Sequence, residues 1–185
     1  MSVKSVAYNV QKISEILINN DLLSDLSTQS IFRIYQVFGL LKIKPHEELI
    51  YRLEPYLIKH IEKYTPIELG YMFTYVWNMQ VNSQTIFKAL LVYTRDNAEK
   101  LPAKLLIECM RHCDSKLIRE DVYENDDDEV DDAIEQFVKY TMHKLDKFNH
   151  RDLINFLDML EKLGHSQKVS SICITQFIGI LWTAG

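Results

Sequence analysis

The chain has 185 residues, 47% of them hydrophobic and 25% charged, with a formal net charge of −5. That is an ordinary globular composition, long enough to bury a continuous core without covalent staples. Five Gly and four Pro leave little material for a many-turned β fold, and three Cys without paired spacing argue against a disulfide framework and for a reducing compartment.

The first element is an amphipathic helix over residues 3 to 20, with Val3, Val6, Val10, Ile13, Ile16 and Leu17 at helical spacing. Its first fourteen residues hold Lys4 and Lys12 and no acid, a faint organelle-targeting character, but they lack Arg and read first as an ordinary helix. Asn19, Asn20 and Asp21 break it. A second helix starts near Ser27 or Thr28, either of which can cap it, and carries Ile31, Ile34, Tyr35, Phe38 and Leu41. Pro45 suits the first turn of the next helix, which presents Leu49, Leu53, Tyr56, Leu57 and Ile61; Pro55 inside it predicts a kink or a split.

Thr65 and Pro66 open another helix, with Leu69, Met72, Phe73, Val76 and Met79, followed by its partner from about Ser83 to Lys100. A further helix opens at Pro102 with Leu105, Leu106, Cys109, Met110 and Cys113 and runs into an acidic stretch. Its partner resumes near Val130 or Ala133, with Ile134, Phe137, Val138, Met142 and Leu145. The last pair begins near Asn149, with Leu153, Ile154, Phe156, Leu157 and Leu160, breaks at Gly164, and ends in an apolar segment from about Gln167 to Trp182.

These elements repeat. The same pattern starts at Leu26, Tyr64, Leu101 and Phe148, at intervals of 38, 37 and 47 residues. Ile31, Leu69, Leu106 and Leu153 occupy one position, Ile34, Met72, Cys109 and Phe156 a second, and Phe38, Val76, Cys113 and Leu160 a third. Periods of this length mark helical arrays, in which each unit buries its apolar face against its neighbours. The expected fold is all-α: a right-handed α-solenoid of about four helix-turn-helix repeats in a single domain. An N-terminal helix (1–25) precedes repeats at 26–63, 64–100, 101–147 and 148–185. The long third repeat contains an acidic insert at 121–132.

At these residues, best over Tyr64 to Cys113 with TPIELGYMFTYVWNM, the sequence resembles heptatricopeptide repeats. These occur in mitochondrial RNA-metabolism proteins of the FAST-kinase-like and RAP-domain groups. The resemblance implies a mitochondrial location, with a cytoplasmic one as the alternative. It also implies a non-catalytic scaffold or binding subunit of an RNA-containing assembly, a mitochondrial ribosome or RNA-processing particle. The rival expectation is a protein-only accessory subunit of a respiratory-chain or ATP synthase complex. A RAP domain has no room after Gly164, which puts transfer of an RNA-processing activity in doubt.

Charge is uneven. The window Glu120 to Glu135 holds ten acids and no base, and without it 16 acids face 21 Lys and Arg. The array body is therefore mildly basic, which keeps an anionic partner open beside protein partners. Outward positions of the first helices supply the candidate RNA contacts: Arg33, Tyr71, Lys104, Arg111 and Arg151. Asp126, Asp127, Asp128 and Asp131 are the candidate contact for a basic partner, although ENDDDEVDD lacks the Gly of a calcium loop. Phe177, Ile178, Leu181 and Trp182 are the candidate subunit interface, because a terminal repeat normally needs a polar outer face.

Cys109, His112 and Cys113 suggest a metal site, but no second ligand cluster follows, and both cysteines fall at positions where other repeats carry large apolar residues. No metal and no cofactor is expected. There is no Gly-rich phosphate loop, no nucleophile elbow and no pair of carboxylates on a plausible cleft, so an enzyme is not expected. Nor is a membrane span: Val169 to Trp182, the most apolar stretch, is interrupted by Ser170, Ser171, Thr175 and Gln176.

Overall fold

The structure, a computed structural model, describes residues 3–19, 22–81, 83–113 and 127–163. Among them are eight α-helices and no strand: α1 (Val3–Asn19), α2 (Thr28–Leu41), α3 (Glu47–Lys59), α4 (Pro66–Asn78), α5 (Gln84–Asp96), α6 (Ala103–Cys113), α7 (Asp127–Met142) and α8 (His150–Lys162). They gather into two compact units, residues 1–94 and 95–185. None of the helices among the described residues is long and apolar enough to cross a membrane.

Helix starts follow local chemistry. Ser27 Oγ accepts the Ser30 amide at 3.1 Å to begin α2, and Asn149 Oδ1 accepts the Asp152 amide at 2.9 Å to begin α8. Thr65 and Glu68 exchange hydrogen bonds in a capping box before α4, with Pro66 at the first helical position, where its missing N–H costs nothing. The start of α3 differs from expectation: Pro45 precedes the helix, and His46 Nδ1 caps it by accepting the Glu48 amide at 3.3 Å. Pro55 does not split α3, which runs unbroken through it. Tyr51, whose carbonyl loses its helical donor, and Pro55 both lie on the exposed side, where that loss is cheapest.

One local turn recurs along the backbone. A short 3-10 turn precedes α4, α6 and α8 at Ile61–Lys63, Ala98–Lys100 and Leu145–Lys147. The residues before these turns share one conformation, with φ/ψ of −117/16° at His60, −114/16° at Asn97 and −120/12° at Lys144. Those after them, Tyr64, Leu101 and Phe148, are extended, and their amides donate to Ile61, Ala98 and Leu145 carbonyls at 3.2, 3.1 and 3.0 Å. Leu26 donates likewise to Leu23, at 3.3 Å, before α2. In each case the accepting residue is buried, so one apolar anchor sets each turn. The last is also stapled: Lys144 Nζ donates to the carbonyls of Glu99 and Leu101 at 2.8 and 2.6 Å. Burial, with Lys147 adding, lowers the Lys144 pKa.

In the N-terminal unit α2 packs on α4, and α1 on α3. The core contains Tyr35, Leu49, Leu53, Met72, Phe73 and Ile86, and full burial of each such side chain contributes roughly 1.5–3 kcal/mol. The expected face of α1 is only partly right. Ile13 and Ile16 are about half exposed (51% and 53%), whereas Ser14 is buried. Periodicity finds an apolar stripe but not which flank of it meets α3, and the Arg52 guanidinium of α3 fixes that by donating to the Ile18 carbonyl at 3.2 Å. In the C-terminal unit α6 packs on α7 and α8 around Leu106, Met110, Ile134, Phe137 and Phe156. α7 begins at Asp127, earlier than the expected Val130 or Ala133.

α2 and α4 approach closely at Gly39, where an added Cβ would stand 2.6 Å from Tyr75 Cα. Alanine improves helix propensity by about 1 kcal/mol, but here it would push on backbone. Gly39→Ala should therefore lower stability by about 1–3 kcal/mol net, read as a fall in the urea midpoint at unchanged m-value.

Burial drives the Tyr35 hydroxyl far above the tyrosine range, with Glu54 and Tyr64 adding to the effect; burial raises Tyr64 to about 12, with Glu68 adding. Neither hydroxyl has a hydrogen-bond partner among the described residues. Both stay protonated in the fold beyond pH 10 or so, where an unfolded tyrosine ionises. Their contribution is thus intact below that pH and drains away as pH rises through the folded-state values. Tyr35→Phe should be neutral or mildly stabilising at pH 7, and its melting temperature should fall less than that of wild type between about pH 9 and 11.

Candidate binding face of the first helices

The sequence period puts α2, α4, α6 and α8 at its first-helix positions. Ile31, Leu69, Leu106 and Leu153 are at most 4% exposed. Two residues earlier in each helix, Gln29, Ile67, Lys104 and Arg151 are all exposed. A helix packed along one stripe leaves the opposite one open, and this open stripe holds the expected contact residues.

In the N-terminal unit it carries Arg33, Tyr71, Ile67 and Leu40. Arg33 Nη1 donates to Gln36 Oε1 on its own helix. Tyr71 stacks on Tyr75 with centroids 6.0 Å apart and a 15° interplanar angle, and Tyr75 in turn meets Phe32 at 6.2 Å. The exposed tyrosine is thus held by a buried aromatic ladder. The Thr74 hydroxyl donates to the Tyr71 carbonyl at 2.8 Å, which turns Thr74 inward, so the position that Arg111 holds in α6 offers no side chain in α4.

In the C-terminal unit the cations are less free than the sequence suggests. Lys104 Nζ lies 3.3 Å from Asp152 Oδ2, and Arg111 Nη1 lies 2.9 Å from Glu108 Oε1. Arg151 is exposed and makes no ion pair with any described residue. Asp158 shares the face, on the position Arg111 holds in α6. Phosphate binding would have to compete with carboxylates already in place.

The acidic run is partly accounted for by a residue that the sequence reading passed over. Arg95 pairs with Asp96 at 2.9 Å and with Asp132, on α7, at 3.2 Å. Burial works against the Arg95 charge, but the Asp96 hydrogen bond and the charges of Asp96, Asp132 and Glu129 outweigh it and raise its pKa. Asp127 and Asp128 form the first turn of α7 and Asp131 is exposed, whereas Asp126 lies outside the described residues. Phe177, Ile178, Leu181 and Trp182 lie outside them too.

A groove of about 410 Å³ runs beside the α2–α3 turn and the start of α5, lined by Lys44, Tyr51, Glu54 and Thr85 among others. The Ser83 hydroxyl donates to Glu54 Oε2 at 2.7 Å, so this carboxylate serves the start of α5, whose Ile86 amide Ser83 accepts at 3.3 Å. Comparison with protein-family models, curated proteins and solved structures gave no match.

Cys109 and Cys113 are fully buried and His112 nearly so. Burial pushes the Cys109 thiol well above its usual range, with Cys113 and Glu108 adding, and a thiol held protonated is a poor nucleophile. Among the described residues no group of three or more His, Cys, Asp or Glu could hold a metal ion. Both thiols should resist iodoacetamide in the native chain at pH 8 and react when urea unfolds it, with mass spectrometry locating the adducts; rapid native labelling would show that α6 is packed differently.

Proposed function

We propose that the chain is a non-catalytic helical-repeat scaffold, a right-handed α-solenoid of about four helix-turn-helix repeats led by α1, that holds protein partners within a larger assembly. The open stripe is its ligand face. The observation that carries this is the alternation along the first helices, closed at Ile31, Leu69, Leu106 and Leu153 and open at Gln29, Ile67, Lys104 and Arg151. A surface repeated along an array suits an extended partner.

A protein partner is favoured by the composition of that stripe. Leu40 is 64% exposed, Ile67 43% and Tyr71 41%, and tyrosine backed by a rigid support is the kind of anchor on which interfaces concentrate their binding energy. The Lys104–Asp152 and Arg111–Glu108 pairs favour the same reading, since they leave little uncompensated positive charge. The setting comes from the heptatricopeptide resemblance: a mitochondrial particle that contains RNA, such as the mitochondrial ribosome or an RNA-processing complex. A respiratory-chain or ATP synthase complex is the protein-only version.

Direct RNA contact is a second reading. Within the N-terminal unit Arg33 and Tyr71 hold the same position in successive first helices, which puts a cation and a stacking ring on one open stripe.

Native purification with mass spectrometry of co-purifying material, with and without nuclease, separates these readings. We expect protein partners that survive nuclease and whose affinity for the chain falls about tenfold or more with Tyr71→Ala. Partners lost on nuclease treatment, together with RNA binding that weakens steeply with salt and with Arg33→Glu, would replace the first reading by the second. A chain that retains no partner under native conditions contradicts both.

A further inference from the structure

Within the N-terminal unit, α2 meets α4 through Phe32 and Gly39 on one helix and Tyr75 on the other. Within the C-terminal unit, α6 packs on α8, with Ile107 at the position of Phe32 and Met159 at the position of Tyr75; they are 4% and 3% exposed. Every contact of this kind has a leading half, Phe32 or Ile107, and a trailing half, Tyr75 or Met159.

Two halves are left over at the ends of the series. The leading half on α8 is Ile154, 54% exposed against 6% for Phe32 and 4% for Ile107. The trailing half on α2 is Val37, 43% exposed against 6% for Tyr75 and 3% for Met159. Leu41 beside it is also 43% exposed, where Met79, at the same position of the next repeat, is 1% exposed. α1 packs on α3 and the turn at Leu22–Asp25, and Val37 stays open.

We infer that copies of this chain join head to tail, α8 of one copy seating against α2 of the next through the contact that each copy already makes between α2 and α4. The occupant follows from continuity: one chain carries, exposed, both halves of the contact that α2 and α4 make within it. The inference rests on the repeat-array reading but not on what the open stripe binds. Such an interface is heterologous, so it leaves a free half at each end and adds copies as concentration rises.

Sedimentation velocity on the full chain over a wide concentration range tests this. Wild type should gain mass with concentration, and Val37→Glu and Ile154→Glu should each be monomeric, since each lacks one half. Both positions are exposed, so circular dichroism melts of the variants should match wild type. Mixed together, the two variants should form a 1:1 dimer and stop there, because one supplies Val37 and the other Ile154. A wild type that is monomeric throughout, its ends covered by its own residues 164–185 or by another protein, overturns the inference. So does a single variant that still associates, as a symmetric dimer would, or a mixture that stays monomeric. None of these outcomes bears on whether Tyr71→Ala loses its partner.

Discussion

The contact of α2 with α4 at Gly39 sets what each residue of these helices can do. An added Cβ on Gly39 would stand 2.6 Å from Tyr75 Cα, so the two helices are nearly backbone to backbone there. At that separation every flank of α4 that faces another helix is filled: Leu69, Met72, Phe73 and Val76 are at most 2% exposed. What remains for recognition is the narrow stripe of Ile67 and Tyr71, and even Tyr71 is braced from below by Tyr75. The position of the candidate site is thus a consequence of packing, since a closely packed helix leaves only the side away from its packed face.

Electrostatics work mainly inside the molecule. Lys104, Arg111 and Arg95 are each paired with a carboxylate, and Lys144 is spent on two backbone carbonyls. The exposed ion pairs contribute little to stability, but they change what the surface presents. In the C-terminal unit, cations that read as free in sequence are largely paired in space, and in the N-terminal unit Leu40, Ile67 and Tyr71 stay uncovered. This shifts the balance from a phosphate ligand toward a protein one.

The helices α2, α4, α6 and α8 were legible because apolar side chains recur at helical spacing; Met72, Cys109 and Phe156 of one column are buried, while Ile34 of the same column is half-buried. Ser27, Thr65 and Asn149 were legible as caps because their chemistry is local. Other features depend on partners distant in sequence. Nothing near Gly39 announces Tyr75, and nothing near Asp132 announces Arg95. The flank of α1 that meets α3 is decided by α3, so Ile13 and Ile16 were misplaced, and it is Ser14 that is buried. The candidate site was legible as a stripe of positions, but the pairing of its cations was not, because Asp152 approaches Lys104 from another helix.

The central claim is the alternation of closed and open stripes along the first helices. Hydroxyl-radical footprinting of the wild-type chain, read by mass spectrometry, tests it without substitution. The account predicts ready oxidation of Ile67 and Tyr71, and protection of Met72, Met110 and Met159, which are at most 3% exposed although sulfur is an easily oxidised target. Oxidation of these methionines as fast as in the urea-unfolded chain, or protection of Ile67 and Tyr71 in the isolated protein, would contradict it.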